Sequence, residues 1–160
     1  MSNDFYKTSI LPHKGIIIKI CRAYTNSQED FEDYYQEACL QIWKSRTSFQ
    51  EKSKWSTWIY RITLNVCLSL LKKNKKRNHP IEVSNENSNN NKAFENENLN
   101  LLYDAIKKLP ELDRAIILLH LDENPHKEIA KIIGTSSNNI AVRINRTKKQ
   151  LKILLNGKIN

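Results

Sequence analysis

Glycine and proline are scarce in this chain, three and four among 160 residues. Runs that alternate apolar and polar side chains are scarcer still. Sandwiches and barrels need many short strands with turn residues at regular intervals, so that class is excluded. Helical spacing accounts for most of the sequence, and the fold class predicted is all-α. Cysteine is sparse too. Cys21, Cys39 and Cys67 are odd in number and far apart, with no C-x-x-C and no histidine at zinc-finger distance. That excludes a disulfide framework and a thiolate metal site. Three buried structural thiols in a reducing compartment are expected, with no metal and no cofactor. Long apolar runs are missing as well. Ile16–Ile18 is the longest near the N-terminus, too short for a secretory core or a membrane span. The expectation is a cytoplasmic protein without membrane insertion.

What the chain does hold is positive charge. Lys and Arg number 26 against 17 Asp and Glu, a formal net charge of +9. Such a balance speaks to partners rather than to fold: nucleic acid first, an anionic membrane surface second. The charge is unevenly placed. Residues 51–77 carry eight basic side chains and one acidic, and residues 135–160 carry six basic and none acidic. Between them, residues 79–98 are net acidic, with four Glu and one Lys. Two basic segments across a polar gap suggest two nucleic-acid contacts.

Periodicity predicts the elements. A first helix covers about residues 11–24, with Ile16, Ile17, Ile20, Cys21 and Tyr24 on one stripe. A second covers about 30–45, where Phe31, Tyr34, Tyr35, Ala38, Cys39, Ile42 and Trp43 keep the helical period. A third runs from a Ser53 cap to about residue 73, with Trp55, Trp58, Ile59, Ile62, Val66 and Leu70 as its buried set. Residues 79–98, rich in Asn and poor in apolar side chains, read as a flexible linker. Helices then follow over about 99–109, 111–121, 126–133 and 137–155. The chain divides accordingly into two small helical domains, 9–78 and 99–157.

Three constellations carry chemistry. In residues 128–144, E-I-A-K-I-I-G-T-S-S-N-N-I-A-V-R-I, Ala130 is small where two helices cross, Gly134 suits a left-handed turn and Ile140 closes the core between them. This is helix-turn-helix spacing. The second helix would enter the DNA major groove with Ser137, Asn138, Asn139, Val142 and Arg143 at the base edges, since Asn can read adenine and Arg guanine. Arg146, Lys148, Lys149 and Lys152 suit phosphates, which position without specifying. An ordinary helical hairpin with a glycine cap is the competing reading. The second constellation is Trp55, Thr57, Trp58, Arg61 and Asn65, followed by Lys72, Lys73, Lys75, Lys76 and Arg77. Thr57, Arg61 and Asn65 form a polar stripe at i, i+4, i+8. Aromatics beside cations can stack on unpaired bases while neutralising phosphate, yet two tryptophans at helical spacing also serve as core. The third is Asp33, Gln36 and Glu37, with Gln41 one turn on, opposite the apolar stripe of the second helix. No pocket is implied there for acid–base work. The face is either solvated or a protein-docking surface.

Taken in order, these segments resemble the sigma-70 family of RNA polymerase sigma factors, in its extracytoplasmic-function (ECF) group. E-D-F-E-D-Y-Y-Q-E-A-C-L-Q-I-W (29–43) is similar to the family segment that docks on the polymerase clamp. Phe49 followed by W-S-T-W-I-Y-R-I-x-x-N (55–65) is similar to the segment that melts and reads the minus-ten element. K-L-P-E-L-D-R-A-I-I-L-L (108–119), followed by the helix-turn-helix, is similar to the domain that reads the minus-thirty-five element. The resemblance implies a non-enzymatic protein without catalytic residues. It implies polymerase contacts at Asp33, Gln36, Glu37 and Gln41. It implies minus-ten contacts at Trp55, Thr57, Trp58, Arg61, Asn65, Lys72, Lys73 and Lys76. It implies minus-thirty-five contacts at Ser137, Asn138, Asn139, Val142, Arg143, Arg146, Lys148 and Lys149. Core RNA polymerase, promoter DNA and an anti-sigma factor are the implied partners. Two departures from the family pattern stand out. Glu51-Lys52 replaces a common Gly-Glu, which bears on the base read by the loop 50–54. Pro125-His126 replaces a common Ser-Tyr, which bears on phosphate contacts. The linker fits the resemblance physically. About 20 residues are too few for a core of their own but reach about 65–70 Å when extended. Two DNA elements about 20 base pairs apart, at about 3.4 Å per pair, need a similar span. A stand-alone helix-turn-helix regulator would leave the tryptophan helix and the acidic face without a use. A DNA-cleaving enzyme would need a nucleophile or carboxylate cluster that the N-terminal half does not offer.

Overall fold

The computed structural model describes residues 3–49, 54–77 and 97–156 and separates into two compact units, Met1–Asn90 and Asn91–Asn160. Among the described residues the regular structure is helical, as the scarcity of glycine, proline and strand-like runs predicts.

In the first unit, α1 (Lys14–Ala23), α2 (Gln28–Lys44) and α3 (Trp55–Arg77) pack around one core. The α-helix of α1 starts later than the predicted residue 11 because Leu11–His13, with Pro12 in its first turn, forms a 3-10 turn instead. Its C-terminal carbonyls are used locally. The Cys21 oxygen accepts from the Tyr24 N–H at 3.2 Å and from Thr25 Oγ1 at 2.7 Å. Helix α2 begins two residues before the predicted start, at a capping serine: Ser27 Oγ accepts the Asp30 N–H at 3.1 Å. Glu29 and Asp30 in its first turn and Lys44 in its last both suit the helix dipole. Tyr34, Ala38, Cys39 and Ile42 face the core.

Helix α3 packs on both α1 and α2, so it is buried over a wider arc than one stripe. Tyr60, Thr63, Leu64 and Cys67 join Ile59 and Val66 in the core, while Trp55, Trp58, Ile62 and Leu70 are only half-buried. The predicted cap Ser53 lies outside the described residues. All three cysteines are buried free thiols, with Cys67 Sγ 3.8 Å from Cys21 Sγ. Burial pushes the Cys39 thiol up to about 11. The contact with Cys21, and burial after it, raise Cys67 far above the usual thiol range. Cys39 and Cys67 are therefore uncharged packing atoms at neutral pH.

Residues 3–10, for which the sequence predicts no element, wind into helical turns against the start of α3. Ile10 is fully buried. Phe5 meets Trp43 edge-on at 5.3 Å and Trp55 at 6.2 Å between ring centroids. Trp55 Nε1 donates to the Ser9 carbonyl at 2.8 Å.

In the second unit, α4 (Glu97–Lys107), α5 (Glu111–Leu121), α6 (His126–Ile133) and α7 (Ser137–Leu155) follow one another with short turns. Helix α4 begins two residues before the predicted Leu99, inside the segment read as linker, whose residues 79–96 lie outside the described set. Pro110 separates α4 from α5. Arg114 Nη2 bridges the turn by donating to the carbonyls of Lys107 at 2.8 Å and Leu109 at 3.2 Å. Helix α5 is the central element: Ala115–Leu119 are all buried, and it packs on both α6 and α7.

Candidate protein and nucleic-acid interfaces

The turn between α6 and α7 is built as its sequence predicts. Gly134 takes φ +87°, a left-handed conformation that costs glycine little. Its N–H and that of Thr135 both donate to the Ala130 carbonyl, at 2.8 and 3.0 Å, which closes the end of α6. Ala130 is buried, and Ile140 is fully enclosed where α7 crosses. Ser136 Oγ accepts the Asn139 N–H at 3.2 Å and so caps α7. Buried Ile140, Ile144, Thr147 and Leu151 fix which side of α7 faces solvent.

On that solvent side Ser137, Asn138 and Asn139 are exposed in the first turn. Asn139 Nδ2 donates to Thr135 Oγ1 at 2.9 Å. Val142 is 65 % exposed, an apolar surface that the core does not use. Arg146, Lys148, Lys149 and Lys152 are exposed, and no acidic residue occurs on α7. Arg143 differs from its neighbours. Its Nη1 donates to Oδ1 of Asp113, on α5, at 2.9 Å, and Arg146 Nη2 lies 3.5 Å from Oδ2 of the same carboxylate. The side chains of Arg143 and Asp113 are 29 % and 5 % exposed. Asp113 was not among the residues that the sequence singles out. It sits in the first turn of α5, where an acidic residue also suits the dipole, and its partners are 30 and 33 positions away.

In the first unit the α2 face opens onto a groove of about 450 Å³ between α2 and α3, lined by Asp30, Asp33, Tyr34, Gln36, Glu37, Leu40, Leu70 and Asn74. Three carboxylates stand around a partly apolar floor. The Tyr34 hydroxyl accepts from Asn74 Nδ2 at 3.2 Å. Burial pushes this phenol up to about 12 against the pull of that hydrogen bond, so it stays neutral. A second groove of about 350 Å³ holds Glu37, Gln41, Ile62, Asn65 and Ser69. Gln41 Nε2 donates to Glu37 Oε1 at 2.9 Å.

The predicted polar stripe of α3 divides. Arg61 and Asn65 are exposed, whereas Thr57 is 3 % exposed and belongs to the interior. Spacing places the three on one face, but α3 packs on both α1 and α2, and its buried arc takes in Thr57. Asn65 lies in the groove with Glu37 and Gln41, next to residues assigned to a different partner. Trp55 and Trp58 pack at 4.8 Å between centroids, each also against Phe49 at 5.0 and 5.3 Å. They are neither fully core nor fully open. Lys72 and Lys73 are exposed near the end of α3, and the side chain of Lys76 lies outside the described residues. No cluster of three metal-ligating side chains occurs among the described residues. No helix among them is long and apolar enough to cross a membrane.

Comparison with known proteins matches both units. Residues 10–77 fit the family model for sigma-70 region 2, and residues 99–151 fit that for sigma-70 region 4. RNA polymerase sigma factor SigV of Bacillus subtilis is 26 % identical over 149 residues, which cover 92 % of this chain and 89 % of SigV. ECF RNA polymerase sigma factor SigG of Mycobacterium tuberculosis is 36 % identical over 69 residues, which cover 43 % of this chain and only 19 % of SigG. Among solved structures, the sigma factor RpoE in complex with the anti-sigma factor NepR from Bartonella quintana superposes with a TM-score of 0.72 at 19 % identity. It covers 98 % of this chain and 99 % of that one. CnrH, in complex with the cytosolic domain of CnrY, has a TM-score of 0.72 at 18 % identity. Two family models in sequence, one on each unit, place the chain in the sigma-70 family, and the ECF sigma factors among its relatives make it an ECF sigma factor of transcription initiation.

Proposed function

We propose that the chain directs core RNA polymerase to promoters through two separate DNA contacts. In this reading residues 9–78 dock on polymerase and hold the minus-ten element, residues 99–157 read the minus-thirty-five element, and residues 79–98 tether them. Asp33, Gln36, Glu37 and Gln41, with the acidic groove beside them, meet a basic surface of polymerase. Trp55, Trp58, Arg61, Asn65, Lys72, Lys73 and Lys76 act on the opened strand. Ser137, Asn138, Asn139, Val142 and Arg143 face base edges, while Arg146, Lys148 and Lys149 face phosphates. The chain contributes binding and no chemistry of its own, and acts in the cytoplasm. An anti-sigma partner holds it inactive; the similar RpoE structure is a complex with the anti-sigma factor NepR.

The observation that carries the reading is the solvent side of α7. It is a capped helix behind a glycine turn, with amides in its first turn, an exposed valine in its second and lysines and arginines beyond. Amide, methyl-contacting and guanidinium groups at a helix start suit base edges, and cations further along suit phosphates. The test is transcription by core polymerase with this chain on templates randomised upstream of a fixed start site. Enrichment of two separated motifs is the expected result. A single motif, or transcripts unaffected by the chain, overturns it.

A further inference from the structure

Asp113 is a buried carboxylate facing the helix that carries the DNA contacts. A negative charge there works against phosphate binding, because it cancels part of the positive field of α7. Its two oxygens are taken by Arg143 and Arg146, at 2.9 and 3.5 Å. A guanidinium offers five N–H donors in a rigid plane. Bonding through one Nη1 fixes the direction of the Arg143 plane and leaves the other edge for a partner, on a side chain still partly exposed. Without Asp113 the same arginine would be a mobile cation, free to turn to whichever phosphate is nearest.

We propose that Asp113 is a positioning residue for base reading: it holds Arg143 as an oriented reader and withholds it from the phosphate backbone. This rests on α7 being the recognition helix. It adds that sequence discrimination is set partly from α5, by a residue that touches no DNA. The two groups form a unit, so the loss of Asp113 should raise non-specific affinity while lowering specific preference. A side chain that merely braced α5 against α7 would weaken both.

The experiment uses the full chain with core polymerase and two duplexes, one selected by the wild-type complex from a pool randomised across the upstream element and one scrambled. Affinities are measured across a salt series. Wild type should prefer the selected duplex. Asp113→Asn should lower that preference about tenfold, bind the scrambled duplex more tightly, and steepen the salt slope by about 0.9, one added phosphate contact. Adding Asp113→Asn to Arg143→Gln should change the preference no further. If wild type shows no preference, the recognition-helix reading fails and takes this inference with it. If wild type discriminates but Asp113→Asn keeps its preference and slope, or loses affinity for both duplexes alike, the positioning role is overturned while the recognition helix stands. Should Asp113→Asn unfold at the assay temperature, Asp113→Glu replaces it. That variant keeps the charge but displaces the guanidinium, so the preference must fall while the salt slope stays at the wild-type value. An unchanged preference then overturns the proposal.

Discussion

Cys21, Cys39 and Cys67 show what a residue type and spacing can carry on their own. Their odd number and wide separation already argue for buried thiols, and each is buried. Thiolate is the reactive form, and burial holds Cys39 near 11. In the native chain at pH 8, an aromatic disulfide reagent should therefore label the three sites about a hundredfold more slowly than in denaturant. Rapid labelling of the native chain would show that the core of the first unit opens readily. His120 gives a second residue-level expectation. Burial, then Lys148 and His126, lower its pKa below the ordinary histidine value. A depressed folded value means that this group favours the folded state above the unfolded pKa of about 6.5, and that this contribution fades as pH falls below it. His120→Gln should lose less thermal midpoint between pH 7.5 and 5.5 than wild type does; an equal or larger loss would remove His120 as the cause. Thr57 and Asp113 mark the limit of residue-level reading. Spacing gave Thr57 a place on the polar face, but α3 is covered by two helices rather than one, and its buried arc reaches Thr57. Asp113 meets arginines 30 and 33 positions away, a pairing that no local pattern encodes.

At the scale of the helix, legibility follows how an element is closed. The bounds of α5, α6 and α7 are readable because Pro110, Pro125, Gly134 and Ser136 punctuate them chemically. Those of α1 and α2 shift by two or three residues, since the 3-10 turn at Pro12 and the Ser27 cap move the start. The apolar stripe of α3 is under-read because two helices cover it rather than one. Two predictions belong here. On α7, Lys149→Ala should weaken binding to matched and mismatched DNA alike and flatten the salt slope by about 0.9. Val142→Ser, which changes the contact surface without changing charge, should instead act mainly on the matched duplex, by about tenfold. Equal behaviour of the two in one titration would remove the division into positioners and readers. On α2, Asp33→Lys with Glu37→Lys reverses two of the carboxylates around the groove. Both residues lie off the buried stripe, so helicity by circular dichroism should stay normal while affinity for core polymerase falls roughly a hundredfold. Undiminished affinity would take this face out of the interface.

Across the whole molecule, binding a duplex and opening one make different demands, and in the proposed reading the two units divide them. A duplex offers base edges and a regular row of phosphates, which the solvent side of α7 matches. An opened strand offers base faces and single-strand phosphate, which suit half-buried aromatics and cations along one helix. Trp55 is a poor probe of opening, since its indole N–H bonds Ser9 and its ring packs on Phe5 and Phe49. Asn65 is also a poor one, because it shares a groove with Glu37 and Gln41, so its loss would confuse docking with melting. Lys72 and Lys73 are exposed and are not among the residues that line either groove. Lys72→Glu with Lys73→Glu should keep the thermal midpoint, near-normal affinity for core polymerase and near-normal closed complexes. It should lower permanganate-reactive thymines at the start site about tenfold or more, because two attractions to single-strand phosphate become repulsions. A template with the start region already unpaired should restore much of the transcription, since that substrate removes the step the cations assist. If the unpaired template gives no rescue and closed complexes are lost as well, the end of α3 is acting in duplex binding, and the division of labour between the units falls with it.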